Sequence, residues 1–422
     1  MVKVVVTGIG LVSALGGSLE ESWQNLLAGK SGIKLLQPFP ELRPFPMALI
    51  GQQPADLTML TQLVVTSALQ DADLVPPLAD CAVIIGSSRS HQASWEVLAR
   101  QMYEDTATEK DAQNFSSSPR PPSGSEVWTR REPPRLQLPH RIPASPRPSV
   151  PAFSLKNWLD TLPHMNAIAT ARQIGASGIV LAPMVACATG ILSIAQAAML
   201  IQTGQCQRAI AGAVEAPITP LTLAGFQQMG ALAKTGAYPF DVHREGLVLG
   251  EGAAVFVLES AELAKQRQAK IYGEILGFGF TNDAYHTNSP EPHGKSAIAA
   301  IKQCLQRSCL SPADIDYIHA HGTATQLNDQ MESMVIQHLF PQGVAVSSTK
   351  GSSGHTLGAS GALGVAFSLM ALKHQILPPC VGLQQPEFDL NFITATSLSN
   401  INHILCLSFG FGGQNAAIGI GH

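Results

Sequence analysis

From Gln173 to Gln207 the chain carries no charged side chain. A stretch like this has to be buried, either in a protein core or in a membrane. A membrane-spanning helix needs about 20 consecutive, predominantly apolar residues. This stretch is broken by Gly175, Gly178, Pro183 and Gly190, and it contains Ser193, Gln196 and Gln202. It therefore reads as a strand-like run, Ile179–Val185, followed by a helix, ATGILSIAQAAMLIQTG, that is apolar on most faces and belongs in a core. Burying a helix on all sides takes a large domain. The 422 residues are 45% hydrophobic and 13% charged, against roughly 25% charged in an average soluble protein. That balance excludes a disordered chain and a charge-laced coiled coil. A net charge of -4 gives no basic excess for nucleic-acid binding.

Short apolar runs alternate with helical stretches along the rest of the chain. Strands are expected at Val2–Thr7, Cys81–Ile85, Arg208–Ala213, Ala253–Glu259, Ile271–Leu276, Tyr317–Ala320, Val344–Ser347, His403–Leu407 and Ala416–Ile420, with a helix at Leu19–Ala28. Strands interleaved with crossover helices mean an α/β fold with largely parallel pairing. The pattern restarts near Ile271 after a polar helix, Ala261–Lys270. The expected organisation is two α/β halves, 1–260 and 261–422. MVKVVVTGIG reads as a strand and turn, not a signal peptide. The seven cysteines form no CxxC pair, and their odd number fits reduced thiols in the cytoplasm.

The segment Asn114–Pro151 departs from this pattern. It is crowded with Pro, Ser and Arg, and Pro at this density prevents helices and sheet ladders. It reads as an extended or disordered surface insertion, either a tolerated linker or an arm whose Arg residues dock an acidic partner.

Four stretches carry chemistry. In VACATG, Cys187 lies between the strand-like run and the buried helix, where the positive helix end favours a thiolate. In YIHAHGTATQLNDQMES, His321 follows a short strand, with Thr323 and Thr325 close behind and Asp329 and Glu332 one helical turn apart. In SSTKGSSGHTLGASGALG, Lys350 and His355 stand five apart in a Gly/Ser-rich turn. In LSFGFGGQN, Phe411 rides among Gly410, Gly412 and Gly413, as a pocket gate would. A nucleophilic Cys, two His and a Lys make a kit for acyl transfer and carbon–carbon bond formation.

These motifs, in this order, resemble the β-ketoacyl-acyl-carrier-protein synthases of the thiolase superfamily, in particular the type I/II elongating condensing enzymes. VVVTGIGLVSALG at the start, YPFDVHREGLVLGEGAAVFVLE at 238–259 and NDAYHTNSPEPHG at 282–294 carry the same resemblance. It spans nearly the whole chain outside the Pro-rich insertion. It implies a thiolase-type fold, two similar α/β halves with mixed sheets and buried helices in α-β-α-β-α layers.

The resemblance also implies roles. Cys187 takes the acyl chain as a thioester. His321 and His355 bind the malonyl thioester carbonyl and promote decarboxylation, supported by Lys350. Thr323 and Thr325 hold the pantetheine arm, and Asp329 and Glu332 are the helix carboxylates near the Lys. Phe411 is the gate, and its N–H with that of Cys187 forms an oxyanion hole. The partner is an acyl carrier protein, as acyl-ACP and malonyl-ACP, and the enzyme is a cytoplasmic homodimer. It needs no cofactor beyond the phosphopantetheine arm of its substrates, and no metal, nucleic acid or membrane span.

Departures from the family pattern are specific. Nine residues after His355, where a carboxylate usually stands, this chain has Gly364, so Lys350 is expected to pair with Glu332 instead. Gly178-Ile179 replaces a frequent Gly-Pro, and Pro183 is unusual. Chain-length preference is not carried over. A chain-length-factor-like partner subunit would typically lack the nucleophile, which is present. A CoA-dependent thiolase would want a second catalytic Cys near the C-terminus, and Cys406 sits within a strand pattern. TGIGLVSALG fails GxGxxG at Ser13, and GASGA fails GxSxG at Ala362.

Overall fold

The Val-rich start of the chain forms a longer strand than its pattern predicts: β1 runs Val4–Ser13 and is buried throughout. There follow β2 (Lys34–Leu36), β3 (Phe45–Ala48), β4 (Ala82–Gly86), β5 (Val180–Leu181), β6 (Arg208–Glu215), β7 (Leu249–Gly250) and β8 (Gly252–Ser260). The second part of the chain adds β9 (Gly273–Asn282), β10 (Tyr317–His319), β11 (Ala345–Ser347), β12 (Ile376–Leu377), β13 (Asn391–Phe392), β14 (Ser397–Leu398), β15 (His403–Gly410) and β16 (Gln414–Gly421). This computed structural model describes residues 2–113 and 158–422, so the Pro-rich segment Asn114–Pro151 lies outside the described residues.

Eleven strands form one mixed sheet in the order β13-β11-β10-β15-β16-β9-β1-β8-β6-β4-β5. The strands sort by sequence into two blocks with the same pairing pattern. In the first, β1 and β8 are antiparallel, as are β8 and β6, while β6, β4 and β5 run parallel. In the second, β9 and β16 are antiparallel, as are β16 and β15, while β15, β10, β11 and β13 run parallel. The blocks join through two residue pairs, Val5 with Glu274 and Val6 with Gly273.

Side chains alternate across each strand, and the alternation builds the layers. On β6, Ala209, Ala211 and Ala213 face the central core, while Ile210 and Val214 face the outer one. On β8, Ala254, Phe256 and Leu258 point inward, and Ala253, Val255 and Val257 point outward. The central core encloses the helices Thr189–Gln202 and Ser360–His374 between the two blocks. Helices Leu57–Asp71 and Met165–Ile174 cover the outer face of the first block. Helices Lys295–Ser308 and Gln326–Leu339 cover that of the second. The result is α-β-α-β-α layering.

The uncharged stretch supplies half of the middle layer. Its helix meets Ser360–His374 backbone to backbone: a Cβ on Gly190 would lie 2.4 Å from the Ala362 nitrogen, and one on Gly361 2.8 Å from Ile191 Cγ1. The loops entering these helices carry Cys187 and His355, so packing of the middle layer sets their separation. The expected strand Ile179–Val185 is only Val180–Leu181. Pro183 lacks the N–H a ladder needs, and the chain then turns sharply at Ala186, whose φ is +49°. The polar helix stops at Gln266, capped at its start by the Ser260 hydroxyl. Among the described residues, no helix is long and apolar enough to cross a membrane. A second unit begins at Ser94; among the described residues it holds most of the helix Gln92–Gln113 and a bond from the Trp95 indole to the Thr161 carbonyl at 2.8 Å.

Candidate active site

The turn that presents Cys187 is built locally. Ala186 adopts the left-handed conformation that non-glycine residues rarely take, a local strain that the surroundings must hold in place. The Thr189 hydroxyl accepts from the Val185 N–H at 2.9 Å and donates to the Ala186 carbonyl at 2.7 Å. The Ser408 hydroxyl, from β15, donates to the Cys187 carbonyl at 2.8 Å. Cys187 is buried, just ahead of the helix Thr189–Gln202.

Its sulfur lies 3.3 Å from His355 Nε2. The other ring nitrogen, Nδ1, is 2.8 Å from the Ser360 hydroxyl, which thereby fixes the ring. The His355 backbone is pinned to β7 and its approach, donating to the Val248 carbonyl at 2.6 Å and accepting from Gly250 N–H at 3.0 Å. His321 meets His355 edge to face, with ring centroids 5.4 Å apart. One ligand-type atom from each of Cys187, His321 and His355 lies within 4.8 Å of the others. These residues face a cavity of about 300 Å³ that Thr323, Thr325 and Phe411 also line. The Thr323 and Thr325 hydroxyls share a hydrogen bond at 2.8 Å. Phe411 stacks on Phe226 at 5.9 Å, on a turn where Gly412 and Gly413 have φ of +80° and +76°.

Electrostatics sharpen the picture. Burial pushes the Cys187 thiol up to about 11, while Lys350, the Phe411 backbone amide and Arg89 pull it back. The resting group is therefore a thiol, not the thiolate that the helix end alone would favour; desolvation outweighs the dipole. Burial, with the Lys350 charge, holds both His321 and His355 well below the ordinary imidazole value, so both rings are neutral.

The expected Lys350–Glu332 pair is not formed. The Lys350 ammonium donates to the His321 carbonyl instead. The Glu332 carboxylate is occupied by the N–H groups of His321 at 2.6 Å and Gly322 at 2.7 Å, and by the Asn328 amide at 3.2 Å. Those amides sit in a tight turn, Gly322 at φ +42° and Ala324 at +63°, where orphan backbone donors need an acceptor. Asp329 likewise accepts from the Phe240 N–H at 2.8 Å, with Arg244 Nε 3.9 Å away. Burial raises Asp329 to about 6 and Glu332 to about 7. Glu332 shapes the turn that aims His321, Asp329 holds the backbone at Phe240, and neither hydrogen-bonds to the lysine. Cys406 is buried in β15, next to His319 and not in the cavity.

Sequence reasoning missed three supports. Ser360 could have been found, five residues after His355 in the same motif. Glu215 and Arg244 are buried charges in a charge-poor chain. Glu215 accepts from the N–H groups of Ser88, Arg89 and Gly358, tying β6 to the His355 loop. Arg244 bonds Glu387 and the carbonyls of Asp241 and Gln326.

The profile described as beta-ketoacyl synthase, N-terminal domain matches residues 1–50 and 147–264, and its C-terminal counterpart matches 272–384. The 3-oxoacyl-[acyl-carrier-protein] synthase 2 of Coxiella burnetii is 34% identical over 99% of this chain and 97% of its own. The mitochondrial 3-oxoacyl-[acyl-carrier-protein] synthase of Arabidopsis thaliana is 31% identical over 99% and 92%. Among solved structures, a type II polyketide-synthase ketosynthase, bound to its acyl-carrier protein and a hexaketide, superposes with TM-score 0.85 at 26% identity, covering 100% of this chain and 99% of the other. A beta-ketoacyl synthase from Burkholderia phymatum gives 0.81 at 25% identity, with 100% of each chain covered. With duplicated α/β blocks, a buried cysteine facing two neutral histidines, and full-length relatives at this identity, the chain belongs to the β-ketoacyl synthase family, whose members have a thiolase-type fold.

Proposed function

We propose that this protein is a β-ketoacyl-ACP synthase, elongating an acyl chain in fatty-acid or related polyketide or specialised-lipid synthesis. The observation that carries the reading is the Cys187 sulfur 3.3 Å from His355 Nε2, with His321 in the same cavity and Phe411 over it. Cys187 attacks the thioester of an acyl-ACP. His355 receives the thiol proton, the tetrahedral oxyanion is held by the Cys187 and Phe411 N–H groups, and the carrier sulfur leaves as the C–S bond breaks, taking that proton from the imidazolium. Malonyl-ACP then enters with its pantetheine along Thr323 and Thr325. Neutral His321 and His355 donate to its thioester carbonyl as carbon dioxide departs and an enolate forms. Loss of one such donor typically costs about 10²–10³ in rate. The enolate carbon attacks the Cys187 thioester, the sulfur leaves as a thiolate that takes up a proton from solvent, and a β-ketoacyl-ACP longer by two carbons is released. These steps call for no metal or nucleotide.

The reading includes two ketoacyl-synthase halves, 1–260 with the nucleophile and 261–422 with the histidines, supported by the repeated strand pairing. It includes an acyl carrier protein as partner, supported by the ketosynthase complex above. A cytoplasmic setting fits seven free thiols. A homodimer fits the outer strand β5, where Leu181 and the adjoining Ile179 and Met184 are exposed.

The test is mass spectrometry of carrier-bound products from a ladder of acyl-ACP primers with malonyl-ACP. The expected result is a β-ketoacyl-ACP two carbons longer than the preferred primer, abolished by Cys187→Ser, with the acyl label on Cys187 alone. Full elongation by Cys187→Ser would refute it.

A further inference from the structure

Two groups lie against the Phe226 ring, and none of the proposed steps uses either contact. One is the Phe411 ring, with centroids 5.9 Å apart and planes 25° from parallel. The other is the Arg89 guanidinium, whose central carbon is 5.5 Å from the Phe226 centroid. At that distance a cation is attracted to the face of an aromatic ring. Among the described residues Arg89 forms no ion pair. Phe226 is buried and lines the cavity together with Cys187 and Phe411.

Hydrogen bonds fasten both ends of the Arg89–Phe226 contact. The Arg89 N–H donates to a Glu215 carboxylate oxygen at 2.9 Å, and its carbonyl accepts from the Gln92 N–H at 3.2 Å. The Gln92 side-chain amide donates in turn to the hydroxyls of Thr219 at 3.3 Å and Thr222 at 3.0 Å. Thr219 caps the helix Pro220–Gln228, its hydroxyl accepting from the Thr222 N–H at 3.1 Å. Phe226 stands on that helix, one turn after Thr222. Phe411 rides instead on a turn with Gly410 before it and Gly412 and Gly413 after it, and it is half-buried. On such a turn the ring contacts decide where the side chain rests.

We propose that Arg89 is a positioning residue of the condensing site: its guanidinium fixes the Phe226 ring, and Phe226 in turn holds the Phe411 ring over Cys187. The proposal rests on the reading of Cys187 as nucleophile and Phe411 as its gate. Attraction to the cation resists rotation of the Phe226 ring, and offset stacking resists departure of Phe411 from it. Each contact is weak alone, but both use one ring, so freeing Phe226 from Arg89 also loosens Phe411. In the free enzyme the thiol is therefore covered until an arriving acyl group displaces Phe411. With an uncharged side chain at 89, Phe226 is held by packing alone and Phe411 uncovers Cys187 more often.

The experiment measures the rate of Cys187 alkylation by iodoacetamide at pH 8 in the full chain without carrier, followed by peptide mass spectrometry. Arg89→Met keeps a long side chain and removes the charge, and it is expected to react at least threefold faster than the parent. The Arg89 charge also favours ionisation of the Cys187 thiol, so its loss by itself would slow the reaction; a faster rate reports the cover. Arg89→Lys, which keeps a cation for the ring, is expected within twofold of the parent. The cycle is closed in a Phe411→Leu background, itself faster than the parent, where Arg89→Met is expected to add nothing. An unchanged or slower rate in Arg89→Met, with Cys187 labelled normally in the parent, overturns this proposal alone. Equal acceleration in both backgrounds also overturns it, because Arg89 would then act without Phe411. Cys187 unlabelled in every variant overturns the nucleophile reading and this proposal with it. If Arg89→Met does not accumulate, Phe226→Leu takes its place with no change of charge. The same threefold gain is expected, and a parental rate overturns the proposal.

Discussion

Glu332 presents two carboxylate oxygens to two backbone N–H groups, and no neutral side chain of its size can do the same. Glu332→Gln leaves one of those donors facing an amide NH₂, at a cost of about 1–3 kcal/mol for a buried unsatisfied group. The expected outcome is a folded protein of unchanged oligomeric state whose malonyl-ACP decarboxylation falls at least tenfold, measured as carbon dioxide release. The two histidines divide differently. His355 touches the Cys187 sulfur and His321 does not hydrogen-bond to it, so His321→Ala should still take acyl label on Cys187 while losing decarboxylation by about 10²–10³. His355→Ala should slow both half-reactions, because the raised thiol loses its proton acceptor. Equal loss of loading in both variants would contradict this division.

At the scale of elements, Glu251 joins β7 to β8 and ties both to the segment before the helix Leu57–Asp71, accepting from the N–H groups of Ala55 at 2.7 Å and Ile50 at 3.3 Å. Burial raises it from 4.5 to about 7. Between those values the folded chain holds a proton that the unfolded chain has released, so stability falls as pH rises through that window. The full effect above pH 7 is on the order of 3 kcal/mol. Glu251→Gln removes this titration, and its Tm is expected to drop less between pH 5 and pH 8 than the parent's. Parallel Tm curves would show that Glu251 ionises freely in the fold.

For the whole molecule, the edge of the sheet is the informative place. Among the described residues, β5 is the last strand of the first block and has a neighbour on one side only. A free edge with apolar side chains around it invites pairing with another chain. Leu181→Glu places a charge on that edge, and sedimentation is expected to shift from dimer to monomer at micromolar concentration. A parent that sediments as a monomer would remove the homodimer from the proposed function.

The α/β class and the buried helix after Cys187 were legible in the chain, and the structure sets Cys187, His321, His355, Thr323, Thr325 and Phe411 around one cavity. Strand alternation, an absence of charge and a Gly-rich turn are local properties, and side chains next to one another in sequence reveal them. What Lys350 and Glu332 bond to was not legible. Both were expected to meet because opposite charges near one site attract. Within the fold, two backbone amides in the turn after β10 claim the carboxylate first, since a buried N–H cannot be left without an acceptor. The protonation of Cys187 was decided the same way, by burial that no local pattern measures. The place of His319 is likewise non-local: a Cβ on Gly364 would lie 2.8 Å from its ring, so the seat exists only where the helix Ser360–His374 meets β10.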